Sequence, residues 1–225
     1  MINVSEEYDN QLNTIAHYRK YPQLKPWIGS SYSESNIKLL FIGESHYLGD
    51  GITYHHDVDK WYEGFSDKIF AGTFTRDIIK TYANRSVKRK SRTIFVNMGK
   101  AICQSKVFSS LNENTYTVYK HISFMNFFQR PAEITGNSIN VTPKDKEVSN
   151  ITFQNVVEII KPDVIVFGSK KAYKFVDKNF LDENKISYVV TPHPATSWWN
   201  RVSKNYGNKK GKDIVPDFLN EYKKK

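Results

Sequence analysis

The sequence predicts an α/β domain: a three-layer αβα sandwich around a central four-stranded, mainly parallel sheet. Two observations carry this expectation. Four short apolar runs have strand character, at residues 37–43 (IKLLFIG), 121–127 (HISFMNF), 163–168 (DVIVFG) and 187–191 (SYVVT). The first and third are nearly continuous apolar segments ending on a glycine, as suits central parallel strands covered on both faces. Between the runs lie stretches of helical periodicity, and such alternation implies a doubly wound sheet with helices on both sides. A chain of 225 residues fits one domain, 1–225, with a sizeable core.

The elements follow in order. The N-terminal stretch MINVSEEYDNQL has neither a basic start nor an apolar core, so no secretory signal is expected. After the first strand comes a long insert, 48–104. Residues 54–65 are rich in aromatics and histidine, and 73–82 (TFTRDIIKTY) reads as a helix starting near Thr73 or Thr75. The basic run 84–92 (NRSVKRKSR) reads as a solvated loop. The second strand leads into 129–146, a loop by its Pro131, Gly136 and Pro143. Helical spacing returns in 150–160, where Ile151, Val156, Ile159 and Ile160 share a face and Pro162 closes the segment. The tail 201–225 holds much of the basic excess and is expected to be partly mobile.

Composition bounds the function. Thirty-three Lys and Arg against 23 Asp and Glu give a net charge of +10, which favours a polyanionic partner. Cys103 is the single cysteine, which excludes an internal disulfide and a cysteine-held metal cluster. A reducing cytoplasmic setting is expected. No apolar run approaches the length of a membrane span, so no membrane partner is expected. A flavodoxin-like cofactor binder lacks support, because no Gly-rich phosphate loop follows a strand.

In open parallel sheets ligands bind outside the carboxyl ends of the strands. The residues just past each run are therefore the site candidates. They are Gly43, Glu44, Ser45, His46 and Tyr47 after the first, and Asn126 with Phe127 after the second. Gly168, Ser169 and Lys170 follow the third, and Pro192, His193, Pro194 and Ala195, then Trp198 and Trp199, the fourth. Each has a structural reading by itself: a cap for Glu44, a turn for His46, backbone satisfaction for Asn126. Two histidines, a carboxylate, an amide and several aromatics at one edge exceed what a structural edge needs.

These segments resemble the uracil-DNA glycosylase superfamily. GESHY is similar to the family's opening GQDPY or GEAPG motif. SFMNFFQRPA resembles its strand-end Asn and base-reading loop, and TPHPATSWW its HPS motif. The stretch from TPKDKEVSN through KPDVIVFGSKKA resembles the helix, strand and helix between them. The resemblance runs in order from about residue 37 to 199 and implies a uracil-DNA glycosylase-like fold. It implies that Tyr47 excludes the 5-methyl group of thymine, that Asn126 binds the Watson–Crick edge, and that His193 donates to the pyrimidine oxygen. Gly43, Ser45 and Phe127 complete the base-binding set. Ser45 stands where the GQDPY type has its water-activating Asp, so Glu44 first and His46 second are the expected water activators. His46 also replaces the usual Pro and Ala195 the motif's Ser. The iron–sulfur branch is excluded by the lone cysteine, and no cofactor is expected.

The activity so implied is hydrolysis of the N-glycosidic bond of uracil or another modified pyrimidine flipped out of DNA, leaving an abasic site. Trp198 or Trp199 would insert into the gap, one of the pair being expected to pack on the core instead. Lys170, Lys171, Arg201 and Lys204 would contact phosphates. The insert with His55, His56, Trp61 and Tyr62 would line or widen the pocket, suiting a bulky base of modified phage DNA. A metal held by His55 and His56 with Asp57 and Asp59 is disfavoured, since adjacent histidines rarely share one ion. The alternatives are a DNA-binding module with this fold but no turnover, and a hydrolase of free nucleosides. The protein is expected to be a monomer.

Overall fold

The computed structural model describes residues 2–49, 51–64, 75–83 and 92–222. All four expected strands form and lie parallel: β2 (Leu39–Gly43), β3 (Ser123–Asn126), β4 (Val164–Phe167) and β5 (Ser187–Val190). A fifth strand corrects the expected count of four. β1 (Trp27–Ile28) pairs antiparallel with β3, and the sheet order is β1-β3-β2-β4-β5. Two residues are too short to show periodicity. β1 is held by side chains instead, with Trp27 Nε1 donating to the Tyr119 carbonyl at 2.7 Å and Ser123 Oγ to the Trp27 carbonyl at 2.8 Å.

Both faces of this sheet are buried. Leu40, Ile42, Met125, Ile165 and Phe167 pack under α6 (Pro143–Ile160), α7 (Lys170–Phe175) and α8 (Lys178–Glu183). The short N-terminal helices α1 (Asp9–Leu12) and α2 (Ala16–Lys20) and the helix α3 (Val58–Glu63) join that side. Leu39, Phe41, Phe124, Val164 and Val166 face α4 (Thr75–Ala83), α5 (Arg92–Cys103) and α9 (Gly211–Glu221). Alternate residues of β2 thus enter opposite cores, as period-2 geometry requires.

Two segments differ from expectation for identifiable reasons. The helix expected over 150–160 begins at Pro143, inside the stretch read as loop. Thr142 accepts from the Asp145 N–H, the Asp145 carboxylate accepts from the Thr142 N–H, and Pro143 fills the first turn. That capping box outweighs the loop signal of the proline, which at this position loses no helical bond. The tail, expected to be partly mobile, forms α9, whose Val215 and Leu219 are buried against the sheet. The helix expected over 73–82 is described from Thr75, and residues 65–74, the basic run 84–91 and 223–225 lie outside the described residues. No helix among the described residues is long and apolar enough to cross a membrane.

Candidate functional site

The connection leaving β2 reaches β3 largely by way of α4 and α5, whereas those leaving β3 and β4 run over the opposite face through α6, α7 and α8. Outgoing chains part there, and in open parallel sheets the ligand crevice lies at such a place, here the carboxyl ends of β2 and its neighbours. The loops after β2 and β3 are laced together across it. Phe127 N–H donates to the Gly43 carbonyl at 3.1 Å, Phe128 N–H to the Glu44 carbonyl at 2.9 Å and Ala132 N–H to the His46 carbonyl at 2.9 Å.

Gly43 has a steric role. A Cβ there would lie 2.2 Å from Asn126 Oδ1, so only glycine lets the Asn126 amide lie over the strand end. Glu44 is gripped by both oxygens. Ser138 Oγ donates to Oε1 at 2.6 Å and Ser169 Oγ to Oε2 at 2.8 Å. Ser169 also caps α7, accepting from the Ala172 N–H at 3.1 Å. The carboxylate is thereby fixed to the first turn of α7 and to the loop ahead of α6.

His193 lies half-buried within the field of Glu44. Burial lowers its pKa from the ordinary imidazole value, and the Glu44 charge opposes that shift without reversing it. The ring is therefore neutral at pH 7. Its Nδ1 accepts from the Ala195 N–H at 3.3 Å, a long bond that places the proton on Nε2. The turn carrying it is braced: Thr196 N–H and Oγ1 both bond the His193 carbonyl at 2.9 Å, and Asn97 Nδ2 on α5 donates to the Pro194 carbonyl at 2.7 Å. Tyr47 is 44% exposed at the rim; burial raises its phenol pKa and the Glu44 charge adds to this.

No protein-family model matches this chain, and no curated protein matches its sequence.

The structure brings Gly43, Glu44, Tyr47, Asn126 and His193 to one edge and corrects two other assignments. Phe127 is fully buried, packed edge-on against Phe128 and Phe153, because it follows the strand into the core. His46 is buried too, its Nε2 lying 3.2 Å from Thr75 Oγ1, so it ties the crevice loop to α4. Trp199 is 1% exposed in the core beside α9, while Trp198 is 51% exposed, the division expected of the pair. Lys170, Arg201 and Lys204 are exposed. Ser45 Oγ is buried with no hydrogen-bond partner.

The insert does not widen the crevice with the side chains expected. Trp61 stacks on Tyr21 at 4.3 Å and donates Nε1 to the Gln129 carbonyl, while Tyr62 donates to Asp145 at 2.8 Å. His55 and His56 reach the Ala132 and Glu133 carbonyls at 3.1 and 3.0 Å. Asp57 caps α3, and Asp59 pairs with Lys144. These groups support the loop after β3. Among the described residues no group of three or more His, Cys, Asp or Glu is arranged for a metal.

Sequence reasoning missed Ser138 and Arg130. Nothing in the sequence links Ser138 to Glu44, 94 positions away. Arg130 is fully buried, bonded to Asp145 by Nε and Nη2 at 2.9 Å each, to Glu133 by Nη1 at 2.8 Å, and to the His55 and Asn140 carbonyls.

Two buried histidines give the protein an acid limit. Burial lowers His46 and His17 to about 4, against 6.5 for an unperturbed imidazole. Between these values the unfolded chain binds protons that the folded one does not. Stability is therefore full above about pH 6.5 and falls as pH drops toward 4. The loss is on the order of 3 kcal/mol for each residue. Urea midpoints at pH 7, 5.5 and 4.5 should decline, and His46→Gln should flatten the decline. A midpoint constant over that range would contradict the burial of both rings as neutral bases.

Proposed function

We propose that the protein is a DNA glycosylase that hydrolyses the N-glycosidic bond of uracil or another modified pyrimidine. The observation that carries this reading is His193, whose Nδ1 accepts from the Ala195 N–H and leaves Nε2 free, within the field of a Glu44 carboxylate clamped by Ser138 and Ser169. The placement of GESHY, SFMNFFQRPA and TPHPATSWW at the ends of β2, β3 and β5 also supports a uracil-DNA glycosylase-like fold.

Breaking the bond between base and sugar leaves negative charge on the base and positive charge on the sugar. A neutral imidazole N–H aimed at the pyrimidine oxygen stabilises the first as an oxyanion-hole donor does. Glu44 orients the attacking water and accepts its proton. Asn126 presents its amide to the Watson–Crick edge, and Tyr47 closes the rim where a 5-substituent would lie. Trp198 is the exposed apolar wedge that fills the gap left by the extruded base. The reading makes DNA the partner and the cytoplasm the setting, with the protein acting as a monomer.

The test is incubation with uracil-containing oligonucleotides, single- and double-stranded, followed by alkali to reveal abasic sites. Wild-type cleavage is expected, with Glu44→Gln slower by about 10²–10⁴-fold. Full turnover by Glu44→Gln would remove that residue from water activation. One observation favours a second reading, a DNA-binding module without turnover: Ser45, not a carboxylate, occupies the third position of GESHY, with its hydroxyl unpaired. Tight oligonucleotide binding without abasic sites, across a panel of modified bases, would decide for it.

A further inference from the structure

A cavity of about 810 Å³ lies against α7, outside the crevice. Lys170, Lys171, Lys174 and Lys178 line it, with Tyr173 and Phe175 among them. Lys25, Lys60, Lys144 and Lys209 each have a carboxylate partner, whereas no carboxylate among the described residues pairs with Lys170, Lys174 or Lys178. Lys178 and Lys174 instead place their ammonium groups over the Tyr173 and Phe175 rings, at 4.9 and 5.6 Å from the centroids. Four cations around one hollow repel one another, and a chain of anions relieves that repulsion.

Two chain segments that hold Glu44 run directly on into the lining of the hollow. Ser169 holds Glu44, and the next residue, Lys170, lines the hollow. On the other wall Ser138 holds Glu44, Lys171 Nζ bonds the Ile139 carbonyl, and Asn140 and Val141 line the hollow. Lys170 and Tyr173 also line a second hollow of about 390 Å³, which reaches Tyr206 and Lys209 at the edge strand β5.

We infer that this lysine groove carries the backbone of a single-stranded polynucleotide whose target base occupies the crevice. The assignment of that base rests on the glycosylase reading; the groove rests on its own chemistry. Cations interleaved with aromatic rings are the recurring surface for single strands, where phosphates meet lysines and bases stack on rings. The two hollows share Lys170 and Tyr173, so a chain occupying both must pass over those residues, which a flexible single strand does more readily than a stiff duplex.

The test compares K174Q/K178Q with K100Q/K106Q, which removes the same charge from exposed positions on and just after α5. Binding of an unmodified labelled 20-nucleotide single strand is followed by fluorescence anisotropy over a range of salt. For K174Q/K178Q, affinity should fall roughly tenfold near 0.15 M salt, and the slope of log K against log salt should flatten by about 1.4. K100Q/K106Q should keep the wild-type slope. Equal losses in the two variants, tighter wild-type binding to duplex than to single strand, or no oligonucleotide binding would each overturn the groove. Uracil excision measured on the same preparations separates the two readings. Excision with an unaltered K174Q/K178Q slope removes the groove alone. Selective loss of binding without wild-type excision of any modified base supports the groove and removes the glycosylase.

Discussion

Replacing His193 with alanine should slow abasic-site formation by about 10²–10³-fold, the usual cost of one preorganised donor to a developing anion. The size follows from how little the donor must rearrange. The Ala195 N–H already occupies Nδ1, so the neutral ring carries its proton on Nε2 without needing a ligand to select the tautomer. The turn is braced by Thr196 and Asn97, so orientation has largely been settled by folding. Burial holds the imidazole below its ordinary pKa, so the neutral donor persists at pH 7 and above. The wild-type rate should fall only below the ordinary imidazole range, and His193→Ala should lose that acid limb. Single-turnover rates across pH with a uracil oligonucleotide provide the check. A variant as fast as wild type, with the same pH profile, would mean that His193 makes no contact with the leaving base.

Asp145→Ala should destabilise the fold by about 3–5 kcal/mol, because it removes two charge-assisted bonds from the buried Arg130 guanidinium, leaving Glu133 as its remaining carboxylate, and strands the Tyr62 hydroxyl and the Thr142 N–H. Asp145 accepts from Arg130 Nε and Nη2, from Tyr62 Oη and from the Thr142 N–H, so one carboxylate joins α3, the loop after β3 and the start of α6. Its side chain is fully buried, as is that of Arg130. The Arg130 guanidinium holds the Asp145 carboxyl below its usual pKa, even though burial acts the other way. Urea unfolding at pH 7 measures the loss, and a change below 1 kcal/mol would show that water reaches and solvates Arg130 in the variant. Arg130 also bonds the His55 and Asn140 carbonyls, so the same change loosens the loop leading to Ser138 and Glu44. Excision should weaken along with stability.

The four main strands were legible because each is an apolar run between turn residues; in β2 and β4 the run is continuous and encodes burial on both faces, whereas the edge strand β5 is only half-buried. Strand-end residues were legible for the same reason: once β2, β3, β4 and β5 are located, Gly43, Glu44, Asn126 and His193 must fall at one edge. The start of α6 is encoded as well, in Thr142, Pro143 and Asp145, but a proline signals a loop as readily as a helix's first turn, and only the capping bonds separate the two. β1 was not legible, since two residues held by Trp27 and Ser123 side chains leave no periodic trace.

The sequence by itself determined the α/β class, the parallel strands, the edge at which polar chemistry gathers and the basic surplus, because these follow from local pattern and composition. Only the tertiary structure decided which of those polar and aromatic residues face the crevice. His46, Phe127 and Trp199 share strand ends with Glu44, Asn126 and Trp198, yet the first three are buried. A side chain's direction at a strand end is set by the loop packed against it, and those loops come from distant parts of the chain. The same holds for the grip of Ser138 on Glu44 and of Asp145 on Arg130, which join residues through contacts that sequence spacing does not record.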